Sequence, residues 1–339
     1  MIDLRSDTVT KPTDKMRQAS LEAEVGDDVY EEDPTIKELE AKAAEVTGKE
    51  AALFVTSGTQ GNQLAVLTHT KPGQEIILEE DAHIYKFEGA AISALAGVQP
   101  RPIKGTKGAM NPEDLEAAIR PDDIHFPETG MIGLENTHNQ SGGTILPFEN
   151  MKEIYEVARR NQVPVHLDGA RLFNASVASG ISVQTYASYT DTVQFCLSKG
   201  LGAPVGSIIA GSKDFIQRAR KWRKRLGGGL RQAGIIAAPG IVALTDMVDR
   251  LTEDHKNAKK LAEGLDRLDG LTVENDVETN IIVLNVKGTP YTASEFVERL
   301  KEKGVLAGAI GPDSIRLVTH LDVTSEDIET VLKLIKGII

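Results

Sequence analysis

From about residue 50 to residue 215 the chain alternates short apolar runs with segments whose apolar residues recur at helical spacing. The runs AALFVTSG, EIILEED, MIGLENT, VPVHLDGAR, TVQFCLSKG and GSIIAGS each give way to polar or glycine-rich residues. Such runs predict strands buried on both faces. Between them, NPEDLEAAIRP and PFENMKEIYEVARRNQ carry apolar residues on one helical face behind good N-terminal signals. The alternation predicts an α/β fold with a largely parallel sheet sandwiched by helices, whose ligands collect at the carboxyl ends of the strands. From about residue 240 a long helical pattern, IVALTDMVDRLTEDHKNAKKLAEGLDRL, leads into NIIVLNV, ASEFVERLKEKG, SIRLVTH and the capped segment TSEDIETVLKLIKGI. We therefore expect a large domain with an N-terminal arm over residues 1–240 and a smaller C-terminal α/β domain over 241–339.

The 339 residues are enough for two cores, and 40% hydrophobic with 26% charged residues is ordinary globular composition. No apolar run reaches the roughly 18 to 20 residues that cross a bilayer, so no membrane partner is expected. The opening MIDLRSDTVTKP has acids and a proline where an export signal needs an apolar core. The single cysteine, Cys196, excludes an intrachain disulfide, and the expected location is the cytoplasm. A net charge of -12 argues against nucleic acid as a partner, and the basic cluster RARKWRKRLGGGLRQ is short and local.

Four strand ends carry candidate chemistry. Lys199 follows an apolar run and precedes glycines and a proline; by itself it reads equally as a lysine reaching to solvent. Asp168 ends VHLD with Arg171 close behind, where a turn or helix-capping acid is the ordinary reading. Ser57, Gly58 and Thr59 lie between a strand and the helical segment QGNQLAVLTHT, in a position to cradle phosphate or simply to turn and cap. His83, in LEEDAHIY, lies just beyond another strand. Taken together in chain order they supply an imine-forming lysine, an acid for a pyridine nitrogen, a phosphate turn and a covering ring, which is the set that pyridoxal phosphate chemistry needs.

The segments DLRSDTVTKPT, GDDVYEEDPT, SGTQGN, ENTHNQSGG, HLDGARLFNA, CLSKGLGAPVGS and GGGLRQAG span the chain and resemble the motifs of the low-specificity L-threonine aldolases. The resemblance implies the aspartate-aminotransferase fold with a seven-stranded, mostly parallel sheet, pyridoxal 5'-phosphate as cofactor, and cleavage of L-threonine or L-allo-threonine to glycine and acetaldehyde. It implies that Lys199 forms the imine, Asp168 pairs with the ring nitrogen, His83 stacks on the ring, and Gly58 and Thr59 with Ser57 bind phosphate. Arg171 and Arg316, helped by Ser6, would hold the substrate carboxylate. His83 and His125 are the candidates to take the β-hydroxyl proton; His138 reads as a second loop histidine or a structural one. Arg231 would reach the phosphate of a neighbouring subunit, and Tyr30 would likewise enter the adjacent site of a homotetramer built from dimers. Phe87 receives no hydrogen-bonding role, Cys196 reads as a strand-core residue, and no metal-ligand spacing is evident. A β-eliminating lyase of the same fold, and a non-catalytic pyridoxal-phosphate-binding protein, share most of these features.

Overall fold

The computed structural model describes residues 1–339. Its main sheet has seven strands in the order Ala51–Val55, Ser207–Gly211, Thr192–Cys196, Val165–Asp168, Thr129–Glu135, Glu75–Glu79 and Gln99–Ile103. Neighbouring residues on these strands enter different apolar clusters: Phe54, Ile77 and Ile208 face one side, while Leu53, Val55, Ile76 and Ile209 face the other. Helices therefore cover both faces, and the strands read as continuous apolar runs because neither face meets water. Gln99–Ile103, one of the two edge strands, escapes that pattern because none of its residues is fully buried. Pro100 and Pro102 occupy alternate positions there, so the missing N–H groups fall on one side of the strand.

All pairs in this sheet are parallel except those made by Ser207–Gly211, which runs antiparallel to both neighbours. The reversal follows from the connection. The segment 197–206 has no helix with which to cross over, so the chain must double back. It is closed by Leu197 N–H to Gly206 O at 3.1 Å, Ala203 N–H to Leu197 O at 3.0 Å and Gly202 N–H to Lys199 O at 2.8 Å. Gly206 has φ 101°, and a Cβ there would lie 2.4 Å from the Phe54 ring. The glycines of KGLGAPVGS thus fold a tight loop, and Lys199 sits within it, beyond the strand that ends at Cys196.

A four-stranded antiparallel sheet, ordered Thr272–Val273, Ile281–Asn285, Ser314–Val318 and Gly308–Ala309, forms the second layer system. Its core is shared with helices Leu251–Leu265, Ala293–Glu302 and Ser325–Lys336. The first residues join it: Ile2–Asp3 pairs in parallel with Val305–Leu306, and Leu4 is buried in the same core. The long helical pattern is two helices. Gly234–Asp246 packs on Asp14–Glu22 and Pro34–Thr47, whereas Leu251–Leu265 packs on Ser325–Lys336 and Leu172–Ser179, and the break at 247–250 lets the chain change partners. Apolar residues run through the break because Gly234–Asp246 is buried round most of its circumference, including Ala237, Ala238, Pro239 and Gly240 in succession, while Leu251–Leu265 buries one face. No helix is long and apolar enough to cross a membrane.

Candidate active site

The carboxyl ends of the strands surround a cavity of about 220 Å³, lined by Ser57, Gly58, Thr59, His83, Asp168 and Lys199 among others. Sequence reasoning named all six. Asp168 is the last residue of its strand and buried; its Oδ2 accepts from Asn62 Nδ2 at 2.8 Å and its Oδ1 from Ala170 N–H at 3.1 Å. Gly169 makes the turn possible, since a Cβ there would meet the Gln194 carbonyl at 2.6 Å. Ser57 caps helix Gly58–His69 through Gln60 N–H at 3.1 Å. The N–H groups of Gly58 and Thr59, ahead of that capped amide, have no acceptor in the chain. Buried Gln194 Oε1, on the cavity wall, also lacks a partner.

His83 begins a short helix, with its backbone N–H donated to Glu135 Oε2 at 2.7 Å. Its Nδ1 lies 3.3 Å from Glu88 Oε1. That hydrogen bond raises the His83 pKa above the usual imidazole range; burial opposes the shift, and Asp168 and Glu135 add to it. Because a carboxylate can only accept, Nδ1 carries the hydrogen and Nε2, which has no partner, is left to exchange a proton. Glu88 is buried and fixed by Asn62 Nδ2 at 2.8 Å and Gln63 Nε2 at 2.7 Å.

Beside the cavity two guanidinium groups meet at one amide. Arg171 Nη1 and Arg316 Nη1 donate to Asn139 Oδ1 at 3.2 and 3.3 Å. Arg171 is also clamped by Asp7, through Nε at 2.8 Å and Nη2 at 2.7 Å. Asp7 is fully buried; burial disfavours its charge, but Arg171, Lys199 and the Asn280 hydrogen bond outweigh that and hold its carboxyl well below the usual range. Arg316 has no acidic partner, and burial together with Arg171 lowers its pKa. One of the two cations is balanced and the other is free to meet an anion. Ser6 is held next to this pair by the Asp7 contact, with its own Oγ accepting from Thr8 N–H at 3.2 Å.

Other expected residues lie apart from this cavity within one chain. His125 is on an exposed loop, its Nδ1 2.6 Å from Asp123 Oδ1. Tyr30 is 72% exposed, and Arg231 donates to Asp27 Oδ2 at 2.9 Å, near the Tyr30 N–H that the same carboxylate accepts. His138 is buried between Ser141 Oγ at 2.8 Å and Glu79 Oε2 at 3.1 Å, a structural arrangement. Sequence reasoning passed over Asp7, Asn62, Glu88 and Asn139. Asp7 and Asn139 lie in DLRSDTVTKPT and ENTHNQSGG, and Asn62 in SGTQGN, but only the fold shows that the first two face an arginine and the third an acid. His83, Glu88 and Asp168 bring ligand atoms within 4.8 Å of one another, and Asn62 already bridges the two acids.

A phosphate-sized anion suits the unpaired amides at a helix start, and a protonated pyridine nitrogen suits a buried carboxylate at the other wall, so the residues fit pyridoxal phosphate. The beta-eliminating lyase family profile matches residues 3–289. Low-specificity L-threonine aldolase 1 of Arabidopsis thaliana is 47% identical over 337 residues, covering 98% of this chain and 94% of that protein. The low specificity L-threonine aldolase of Escherichia coli (strain K12) is 46% identical over 332 residues, covering 98% and 97%. The chain belongs to the low-specificity L-threonine aldolase family, among the beta-eliminating lyases. The fold agrees: a threonine aldolase from Leishmania major superposes with a TM-score of 0.87 at 18% identity, over 100% of this chain and 99% of that one. Within this aldolase family the cavity just described is the candidate active site.

Proposed function

We propose that the protein is a pyridoxal-phosphate-dependent aldolase that cleaves L-threonine, L-allo-threonine and related β-hydroxy-α-amino acids to glycine and the corresponding aldehyde. The observation that carries this reading is the unbalanced cation of Arg316, meeting Arg171 at Asn139 beside a cavity that holds Lys199 and Asp168. An amino acid carboxylate is the anion that two arginines suit, and the planar fork fixes its orientation.

The cofactor, when bound, supplies an electron sink for the pair released at the substrate α-carbon. Lys199 is the amine that anchors it. Asp168 would accept from its ring nitrogen, and Ser57, Gly58 and Thr59 would hold its phosphate. The arginines, with Ser6, fix the carboxylate and so select which α-carbon bond stands ready to break. His83 would cover the ring and take the β-hydroxyl proton at Nε2, and Glu88, beside its Nδ1, would stabilise the imidazolium that results. His125 is the second candidate for that proton and would have to come from an adjoining subunit, since within one chain it is remote from the cavity. Tyr30 and Arg231, exposed around Asp27, support a homotetramer of dimers in which they serve a neighbour's site. We take the enzyme to be cytoplasmic, and the large and small domains to divide beyond residue 250, where the apolar clusters change over, rather than at 240.

The test is to incubate the purified protein separately with L-threonine and L-allo-threonine and to measure acetaldehyde and glycine. Equal amounts of the two products are expected. Release of ammonia and a 2-oxo acid without glycine would instead identify an eliminating lyase.

A further inference from the structure

Behind Asp168 lies a row of polar side chains, buried at Asn62, His166 and Thr192 and part-buried at His69, that the proposed reaction does not use. Asn62 Nδ2 is 2.8 Å from both Glu88 Oε1 and Asp168 Oδ2. His166 Nε2 is 3.1 Å from Asn62 Oδ1, and His166 Nδ1 is 3.0 Å from Thr192 Oγ1. His69 Nε2 is 3.1 Å from the same hydroxyl, and its ring stacks on Phe215 at 4.7 Å. Strand pairing sets His166 opposite Thr192, and helix Gly58–His69 carries both Asn62 and His69.

The direction of every hydrogen in this row follows from its end. Two carboxylates face one end of the Asn62 amide, so that end must be the NH₂ and Oδ1 must face His166. His166 Nε2 therefore carries a hydrogen. Burial pushes the His166 pKa down to about 4 and that of His69 to about 3, so both rings are neutral near pH 7. With Nε2 protonated, His166 Nδ1 has only a lone pair and must accept from the Thr192 hydroxyl. That hydroxyl has spent its one hydrogen, so His69 must donate to it through Nε2.

We infer that His69, Thr192, His166 and Asn62 form a one-way donor chain ending on Asp168, and that Thr192 and His166 are positioning residues for that carboxylate. Donors aligned in one sense polarise each other, so each link strengthens the next. The consequence for the cofactor rests on Asp168 being its ring-nitrogen partner, but the tautomers do not.

The experiment has two arms. In the full-length protein labelled with ¹⁵N-histidine, NMR at pH 7 is expected to show His69 and His166 as neutral Nε2–H tautomers; an Nδ1–H form or an imidazolium at either position overturns the inference. In the second arm, Thr192→Val keeps the shape and removes the hydroxyl. Its affinity for pyridoxal phosphate should weaken roughly 3- to 10-fold, the value of about one net hydrogen bond. Its kcat for threonine cleavage should fall with little change in KM, and Thr192→Ser should restore both. A Thr192→Val protein with wild-type cofactor affinity and kcat overturns the inference even if it melts lower, because lost packing alone would do that. Asp168→Asn separates the two readings. If it leaves cofactor affinity unchanged, the ring-nitrogen assignment fails; if it weakens affinity and Thr192→Val does not, the donor chain is what fails.

Discussion

Replacing Arg316 by lysine isolates substrate recognition from everything else the cavity does. Arg316 lies on strand Ser314–Val318 of the smaller sheet and makes one side-chain hydrogen bond, to Asn139 at 3.3 Å. Arg171 could not serve for this test. Its two bonds to buried Asp7 would be lost with it, and stranding one charge of a buried pair costs about 3 to 5 kcal/mol of stability. Arg316→Lys strands no acid, so the fold should survive. The ammonium keeps the charge but loses the planar fork, so the carboxylate is held at one point and the bond to be broken spends less time aligned. Loss of a charge-assisted contact of this kind typically costs on the order of 2 to 4 kcal/mol, which corresponds to a roughly 30- to 1000-fold fall in kcat/KM. The assay is acetaldehyde release from L-threonine alongside the visible absorption of the bound cofactor, which should be unchanged. A variant with wild-type efficiency, or one inactive only because it no longer holds cofactor, would remove Arg316 from the substrate site.

Lys199→Ala should abolish turnover while leaving the melting temperature nearly unchanged, and the borohydride-sensitive yellow band of the wild type should be absent; normal turnover would refute the assignment. Gly169→Ala places a Cβ 2.6 Å from the Gln194 carbonyl, so it should lose about 1 to 3 kcal/mol of stability and part of its cofactor occupancy, read by melting and absorbance. Acid should destabilise the protein through part-buried His69 and buried His166 and His255, whose pKa values desolvation lowers to about 3, 4 and 4. They bind protons more readily when unfolded, near 6.5, so their contribution is complete above that pH and is lost as pH falls toward 4, by roughly 2 kcal/mol each at pH 5. Asp254, raised to about 6 by burial against its Arg250 partner, acts oppositely, and its contribution is lost as pH rises from about 3.8 through 6. Melting temperature should therefore drop between pH 6.5 and 4.5, and a flat profile would refute the histidine argument.

Much of the sheet was legible because burial on both faces leaves an unbroken apolar run, and the residues that close each run are the ones that line the cavity. The edge strand with its prolines was not, and the run GSIIAGS after Lys199 could be read as a strand but not as an antiparallel one. Direction within a sheet depends on what the connection can span, which a run of apolar residues does not record. The onset of the long helical pattern put a boundary at residue 240, yet helix Gly234–Asp246 buries Ala237, Val242 and Leu244 in the larger core, and the apolar clusters change over only beyond Leu251. Periodicity reports that a helix has one buried face and is silent on which core receives it. In the same way Lys199, Asp168 and His83 could be named from type and position, whereas Asn62, Glu88 and Asn139 could not, because an amide or acid acquires its role only from what the fold sets opposite it.

Asp7 shows how far that dependence extends. Its chain neighbours Ile2 and Asp3 pair with Val305 and Leu306, the Leu4 carbonyl accepts from Val318 N–H at 2.8 Å, and Asp7 itself accepts from Asn280 at 3.2 Å, so the first residues are fastened to the smaller sheet. Its other bonds reach Arg171, which follows Asp168 on the larger sheet. The Thr10 hydroxyl, a few residues on, donates to the carbonyl of Lys199 at 3.2 Å. One short segment thus fixes Arg171 relative to Arg316 and reaches the loop of Lys199. If the two sheets shifted against each other, Asp7 would have to release either Asn280 or Arg171. A released Arg171 would leave two uncompensated guanidinium groups sharing Asn139. Like charges that close in a partly buried setting repel strongly, so the neutralised arginine is what allows the second to wait there for a carboxylate.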